Sequence, residues 1–376
     1  MRFVHTADWQ IGMKAVHAGG AAEKVRRMRM ESALRVVEAA GAYGAEFVLL
    51  AGDTFEDNGV ERVLVQRVAD ILAGSAVPVY VIPGNHDPLV PGSVWDHPVW
   101  GEHANIGVLR EPEPVEVPGG MLYPCPVLEK HSRKDPTAWI PNHPDEGIRI
   151  GLAHGTVEGM PQMDPDHPVP RDACRRAGLD YLALGHWHST AIYPDPRDGA
   201  PRTAYAGTHE TTRFGERDSG NVLHVEIQAP GTPPRATPVR TGFLEWLLLE
   251  EKVTREGDLA RVRAQIEKLD APDRTLVEVR LTGLLAGSAH TEWTRLSEVL
   301  ASRFLHHRLD VRGLRPAPED DGWLEGLPQG VLREAALQLR QQANAEAAGA
   351  GAPAVSPEVA AQALMELYTM AQGTRP

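Results

Sequence analysis

Val77-Pro78-Val79-Tyr80-Val81-Ile82-Pro83-Gly84-Asn85-His86-Asp87 sets the pattern of this chain: a short apolar run, a turn, then a cluster of amide, imidazole and carboxylate groups. The run is near-continuous rather than alternating, as in strands covered on both faces. The same order recurs elsewhere. Phe3-Val4 precedes Asp8-Trp9-Gln10, and Phe47 to Ala51 precedes Gly52-Asp53. Ile148 to Ala153 leads into His154-Gly155, and Tyr181 to Leu184 leads into Gly185-His186-Trp187-His188. Met28 to Ala42 and Val60 to Ala73 carry apolar residues at three- and four-residue spacing, the helical period. Strand, helix, strand order predicts a layered α/β domain over roughly the first 225 residues. The polar clusters then fall at the C-terminal ends of their strands, where one edge of one sheet gathers residues far apart in sequence.

Those side chains are the oxygen and imidazole donors that a pair of divalent cations needs. Asp53 is the natural bridging carboxylate, because Gly52 before it permits a sharp turn. Asp8 suits one cation, with His188 pointing at it, and Asn85, His154 and His186 suit the other. His86 is left beside a bound phosphate, where an imidazole stabilises charge or protonates a leaving oxygen. Asp87 either orients that imidazole or caps the following turn. Singly, each residue has a plainer reading as a turn former or a satisfied polar group; five clusters in this order favour a metal site.

The order Asp, Gly-Asp, Gly-Asn-His-Asp, His-Gly, Gly-His-x-His resembles the calcineurin-like metallophosphoesterases over roughly residues 1–225. More narrowly, His5-Thr6-Ala7-Asp8-Trp9, Gly52-Asp53-Thr54-Phe55-Glu56 and Tyr205-Ala206-Gly207-Thr208 look like the SbcD-like DNA double-strand-break repair nucleases. That resemblance implies a four-layer αββα sandwich, two manganese ions, a small α/β cap that selects DNA, and C-terminal helices that dock an SbcC-like coiled-coil ATPase. It also implies a homodimer. By the same resemblance Asp8, Asp53, Asn85, His154, His186 and His188 are metal ligands and His86 is the catalytic histidine. The first motif departs at Gln10, where the family carries histidine; a neutral glutamine oxygen is a weaker donor to manganese.

Length allows more than one domain at 376 residues, and 42% hydrophobic with 24% charged content is ordinary for a globular protein. The net charge of −13 counts against a free-standing nucleic-acid binder unless basic residues cluster. Two clusters do: Lys24, Arg26, Arg27 and Arg29 after the first motif, and Lys130, Arg133 and Lys134 around His131. Each is either a solvated face or a phosphate-positioning patch. Two cysteines argue against a disulfide framework and exclude a thiolate zinc site. The N-terminus lacks a signal-peptide apolar core and no run spans a bilayer, so the expectation is a cytoplasmic protein without membrane contact.

Pro230-Gly231-Thr232-Pro233-Pro234 reads as a hinge. The expected domains are a metallophosphoesterase domain over 1–228, an α/β capping domain over 240–316, and a helical region over 317–376. Ala343 to Pro353 reads as a flexible linker, followed by a helix capped by Ser356. Its apolar stripe, Val359, Ala363, Leu364, Leu367 and Met370, either packs on its own domain or docks a partner. The function so read is a two-metal DNA phosphodiesterase working with an ATPase. The alternatives are a phosphoesterase for a non-DNA substrate and a weakly active metal-binding scaffold.

Overall fold

Apolar runs without alternation become strands with cores on both sides. A computed structural model describes residues 1–142, 147–160, 165–195, 198–255, 257–285, 289–317, 322–344 and 356–373. The chain divides into two compact units, Met1–Glu245 and Trp246–Pro376.

In the first unit the elements are β1 (Arg2–Thr6), α1 (Ala22–Ala42), β2 (Phe47–Ala51), α2 (Arg62–Ala73), β3 (Val79–Ile82), β4 (Ile106–Val108), β5 (Val115–Val117) and β6 (Gly120–Pro124). They continue with β7 (Ile148–His154), α3 (Ala173–Arg176), β8 (Tyr181–Gly185), β9 (Ala191–Tyr193), β10 (Thr203–Tyr205), β11 (Asn221–Glu226) and β12 (Arg235–Arg240). One six-stranded sheet has the order β12-β11-β1-β2-β3-β4 and a second the order β5-β6-β7-β8-β10-β9. The inner neighbours β1-β2-β3 and β6-β7-β8 run parallel.

Side-chain alternation then explains the layers. Phe3, Phe47, Leu49 and Ala51 meet Ile148, Ile150, Leu152, Tyr181 and Ala183 between the two sheets. Phe3 stacks on Phe47 with ring centroids 5.0 Å apart. The other face of the first sheet, Val4, Val48 and Leu50, packs on Ala33 and Val36 of α1 and Val65 and Val68 of α2. The outer face of the second sheet, with Ala153, Leu182 and Leu184, is covered by Ala173 and Cys174 of α3 and adjoining loops. The result is the expected α/β sandwich, its fourth layer being mostly loop.

The Pro230–Pro234 segment is not a hinge. It turns a hairpin, since β11 and β12 pair antiparallel with Glu226 opposite Arg235. A proline–glycine cluster serves a hairpin as readily as a linker, because both need a chain reversal without ladder donors. The first unit therefore runs past the expected end at 228 and takes in the next strand.

The second unit opens on β13 (Glu245–Val253), followed by α4 (Asp258–Glu267), β14 (Thr275–Leu285), α5 (His290–Arg303), β15 (His306–Pro316), α6 (Val331–Ala343) and α7 (Pro357–Gly373). A sheet in the order β13-β14-β15 packs Val277, Val279 and Leu281 on Val262 and Ile266 of α4 and Leu296 and Leu300 of α5. Helices α6 and α7 share a small core around Ala336, Leu364 and Leu367. The Ser356 hydroxyl accepts the Val359 N–H at 3.4 Å, the expected cap. Of the expected stripe, Leu364 is buried while Val359 and Met370 are exposed. Residues 345–353 of the expected linker lie outside the described residues. Among the described residues no helix is long and apolar enough to cross a membrane.

Candidate metal centre

β1, β2 and β3 end side by side, and Asp8, Asp53 and Asn85 follow them. β7 and β8 end in His154 and just before His186. The donors thus come from the edges of two sheets, not one as the strand pattern suggests. Two hydrogen bonds join the edges. The His154 Nδ1–H donates to the Ala51 carbonyl at 2.8 Å, and the His186 backbone N–H donates to Asp8 Oδ1 at 2.9 Å.

The turns that carry these donors are strained. Asp8 (φ 53°), Gln10 (φ 42°), Asp53 (φ 51°) and His186 (φ 104°) adopt positive φ, which costs about 1–3 kcal/mol each and collects at functional sites. Backbone bonds hold the strain: Asp8 N–H to the Gly52 carbonyl at 3.1 Å and Gln10 N–H to the Asp53 carbonyl at 2.9 Å. Gly52 has φ 83°, and a Cβ there would overlap the His154 ring. A Cβ at Gly84 would overlap the amide and carboxylate of Asp53.

The donor atoms converge. Asn85 Oδ1 lies 2.8 Å from His154 Nε2 and 2.9 Å from His186 Nδ1, and Asp53 Oδ1 lies 3.3 Å from His154 Nε2. Because His154 gives its Nδ1 proton to Ala51, its Nε2 presents a lone pair to two oxygens that also only accept. A cation satisfies such a group, and Asp53, His154 and His186 have the spacing to hold one. Asp8 is fully buried, and its Oδ2 has no hydrogen-bond partner. A buried orphan carboxylate oxygen is costly unless it coordinates. The residues fit a metal centre.

The electrostatics agree. Burial pushes Asp8 up to about 6, with His154 and His188 pulling the other way. Burial also opposes charge on Asp53, yet His154 and His86 beside it hold the carboxyl below the usual carboxylate range. Burial works against His154 as a cation, but the Asp53 charge raises it to about 9. Burial and the neighbouring His154 lower His186 to about 3. For His188, burial is outweighed by Glu216, which raises it. In effect a proton on His154 takes the place that a cation takes among the acceptors.

His86 is half-buried, its backbone N–H donating to Asp53 Oδ1 at 2.9 Å and its Nδ1–H to the Glu56 carbonyl at 2.9 Å. Asp87 does not orient that ring. Its carboxylate takes the Phe55 N–H at 2.9 Å and the Gly84 N–H at 2.7 Å, clamping the turn. Burial pushes Asp87 up to about 7, the Asp53 charge adding to it. Asp87 is therefore a structural clamp rather than a catalytic group. Gln10 is buried in the same turn as Asp8, with its backbone tied to Asp53.

Among the expected DNA contacts, Arg29 is misassigned. It is 1% exposed, and its guanidinium donates to the Trp9 carbonyl at 2.6 Å, the Glu210 carbonyl at 2.7 Å and Thr208 Oγ1 at 2.7 Å. It braces the first motif from below. Lys24 is half-buried; Arg26 and Arg27 are exposed and line a cleft of about 610 Å³ with Lys14 and Arg67, which sequence reading missed. Lys130, Arg133 and Lys134 are exposed on a loop whose Ser132 carbonyl accepts the His167 N–H at 2.9 Å. His167 packs against Gly155, next to His154. The sequence also hides Glu216, 28 residues from His188, whose carboxylate lies 2.8 Å from His188 Nδ1.

The family described as Calcineurin-like phosphoesterase matches residues 1–190. The chain is 26% identical over 240 residues to the protein named Uncharacterized metallophosphoesterase YhaO of Bacillus subtilis (strain 168). That match covers 59% of this chain and 57% of the relative, so the chain spans little more than half of that protein. The crystal structure of TT1561 of Thermus thermophilus superposes with a TM-score of 0.42 at 10% identity, covering 64% of this chain and 98% of TT1561.

Proposed function

The chain belongs to the calcineurin-like phosphoesterase family, metal-dependent hydrolases of phosphoesters, and from that premise we propose that it is a two-cation DNA phosphodiesterase of the double-strand-break repair type. The convergence of Asn85 Oδ1, His154 Nε2, His186 Nδ1 and Asp53 Oδ1 carries the hydrolytic half of this reading. Asp8, Gln10, Asp53 and His188 would hold one cation, and Asp53, Asn85, His154 and His186 would hold the other. Oxygen donors suit manganese and imidazole suits iron or zinc, so the mixed set suits a borderline divalent cation, for which we take manganese. When bound, the cations supply the positive charge that activates water and neutralises phosphoryl oxygens. His86, fixed through Nδ1 by Glu56, keeps Nε2 for the leaving oxygen or the charge developing on it.

The basic cleft supports DNA as substrate. Lys14, Arg26, Arg27 and Arg67 face it from the first-motif loop, α1 and α2, against Glu23 and Glu61. Ile11, directly after Gln10 in the chain, also lines it, and such a basic cleft beside the first motif suits phosphate positioning. The exposed Val331 and Val359 of α6 and α7 support docking of a coiled-coil ATPase on that helix pair. The net charge of −13 favours a second reading, a small or protein phosphoester as substrate.

The test is a manganese titration of cleavage on end-labelled duplex and single-stranded DNA, with Asp53→Asn alongside. Cleavage that disappears in the variant supports the nuclease. Hydrolysis of a generic phosphodiester with DNA left intact overturns the DNA assignment and keeps the hydrolase.

A further inference from the structure

Glu216 sits behind the metal centre with its side chain 4% exposed. Burying a carboxylate costs several kcal/mol unless charge and hydrogen bonds answer it. Here one oxygen meets His188 Nδ1 at 2.8 Å and the hydroxyl of Thr212, and the other accepts the Thr212 N–H at 2.8 Å. Thr212 is itself anchored, since its carbonyl lies 2.7 Å from His17 Nε2. Arg213 is 3.5 Å away, but that side chain is 69% exposed and its charge is largely spent on solvent.

An ionised carboxylate only accepts, so the shared proton belongs to His188 Nδ1 and the lone pair is left on Nε2. The other imidazoles are held differently. His154 and His86 give their Nδ1 protons to backbone carbonyls, which orient a ring without lending it a full negative charge. Only His188 of these three is backed by an anion. That matters most on the Asp8 side of the centre, where the first motif carries Gln10, whose amide oxygen would be a neutral and weak donor. A carboxylate behind an imidazole fixes the ring and makes it a stronger ligand.

We propose that Glu216 is a positioning residue of the metal centre, acting through His188 to present Nε2 to the cation shared with Asp8. The inference rests on the reading of this site as a metal centre. A plainer role, pinning the loop from Thr212 to Glu216, makes a different prediction.

The experiment titrates Mn²⁺ into the metal-free 376-residue chain by calorimetry, in native, Glu216→Gln, Glu216→Ala, His188→Ala and combined variants. The native chain is expected to bind two ions. Glu216→Ala should weaken one of them about 10–100-fold and leave the other unchanged. Glu216→Gln should lose less, because its amide oxygen still accepts the Nδ1 proton. With His188 already replaced by Ala, Glu216→Gln should change neither affinity. Native affinities in folded Glu216→Ala, or an equal loss from Glu216→Gln with and without His188, overturn the proposal. Should Glu216→Ala fail to fold, the Glu216→Gln comparison in the two backgrounds decides alone. A native chain that binds no Mn²⁺ overturns the metal centre itself, which is a distinct result.

Discussion

His154 Nε2 and Asn85 Oδ1 face each other at 2.8 Å as two acceptors, the imidazole proton being committed to Ala51 on the opposite side of the ring. Only a proton or a cation reconciles them. Competition between the two has a measurable consequence. In the metal-free chain Asp53 raises His154 to about 9. Below that pH the site holds a proton that metal must displace. Binding near pH 7.5 should release about one proton for the ion held by Asp53, Asn85, His154 and His186, and its affinity should rise about tenfold per pH unit up to about 9. Calorimetry in buffers of different ionisation enthalpy checks this; proton-neutral binding contradicts it.

Asp53→Asn removes the carboxylate that reaches His154 and accepts the His86 N–H. Losing a charge at the centre forfeits several kcal/mol of transition-state stabilisation, so hydrolysis of a phosphodiester should fall at least about 10³-fold. The substitution also breaks the buried pair with His154, so a native-like far-ultraviolet circular dichroism spectrum with a lowered melting temperature should accompany the lost activity.

Gln10→His should strengthen manganese binding on the Asp8 side by about tenfold, about 1.4 kcal/mol, because imidazole is the better donor. Superimposable titration curves for the two proteins remove Gln10 from the ligand set.

Arg29 and the exposed basic residues of the cleft should separate cleanly. Arg29→Ala leaves three buried acceptors without a charged donor and should cost about 3 kcal/mol or more in urea unfolding. Lys14→Ala, Arg26→Ala and Arg67→Ala should leave stability within about 0.5 kcal/mol, lower DNA affinity and flatten its salt dependence. An unchanged salt slope in all three takes the cleft out of the substrate path.

Acid should destabilise the fold through His5. Burial lowers His5 to about 3, and the ring is held neutral between the Tyr181 hydroxyl at 3.1 Å and the Leu184 carbonyl at 3.2 Å. The unfolded chain takes up a proton near 6.5 that the folded chain refuses, so the stability His5 contributes is complete above 6.5 and is lost as pH falls toward about 3. The expected slope from this group is about 1.4 kcal/mol per pH unit within that window. His5→Gln, which carries no titrating proton, should flatten the slope of chemical-denaturation midpoints between pH 4 and 6.

Much of the centre was legible because its signals are local. Gly52 and Gly84 precede their ligands for reasons of backbone conformation and close approach, and apolar runs buried on both faces betray the strands by composition alone. Local signals also misled. The Pro230–Pro234 turn reads the same whether the next strand rejoins the sheet or leaves it. The arginines of α1 look alike in sequence, and only the packing of that helix on the first motif turns Arg29 inward and leaves Arg26 and Arg27 exposed.

The ends of the strands, the sharp turn that Gly52 permits and the side chains that offer donors can be read along the chain, because propensity, alternation and turn chemistry act over a few residues. Tertiary structure alone decided that two sheet edges meet, that Ala51 takes the His154 proton, that Arg29 is structural and that Glu216 backs His188. Those facts depend on which buried surfaces fill each other across the sandwich. That complementarity joins residues 20 to 181 positions apart and leaves no periodic trace along the chain.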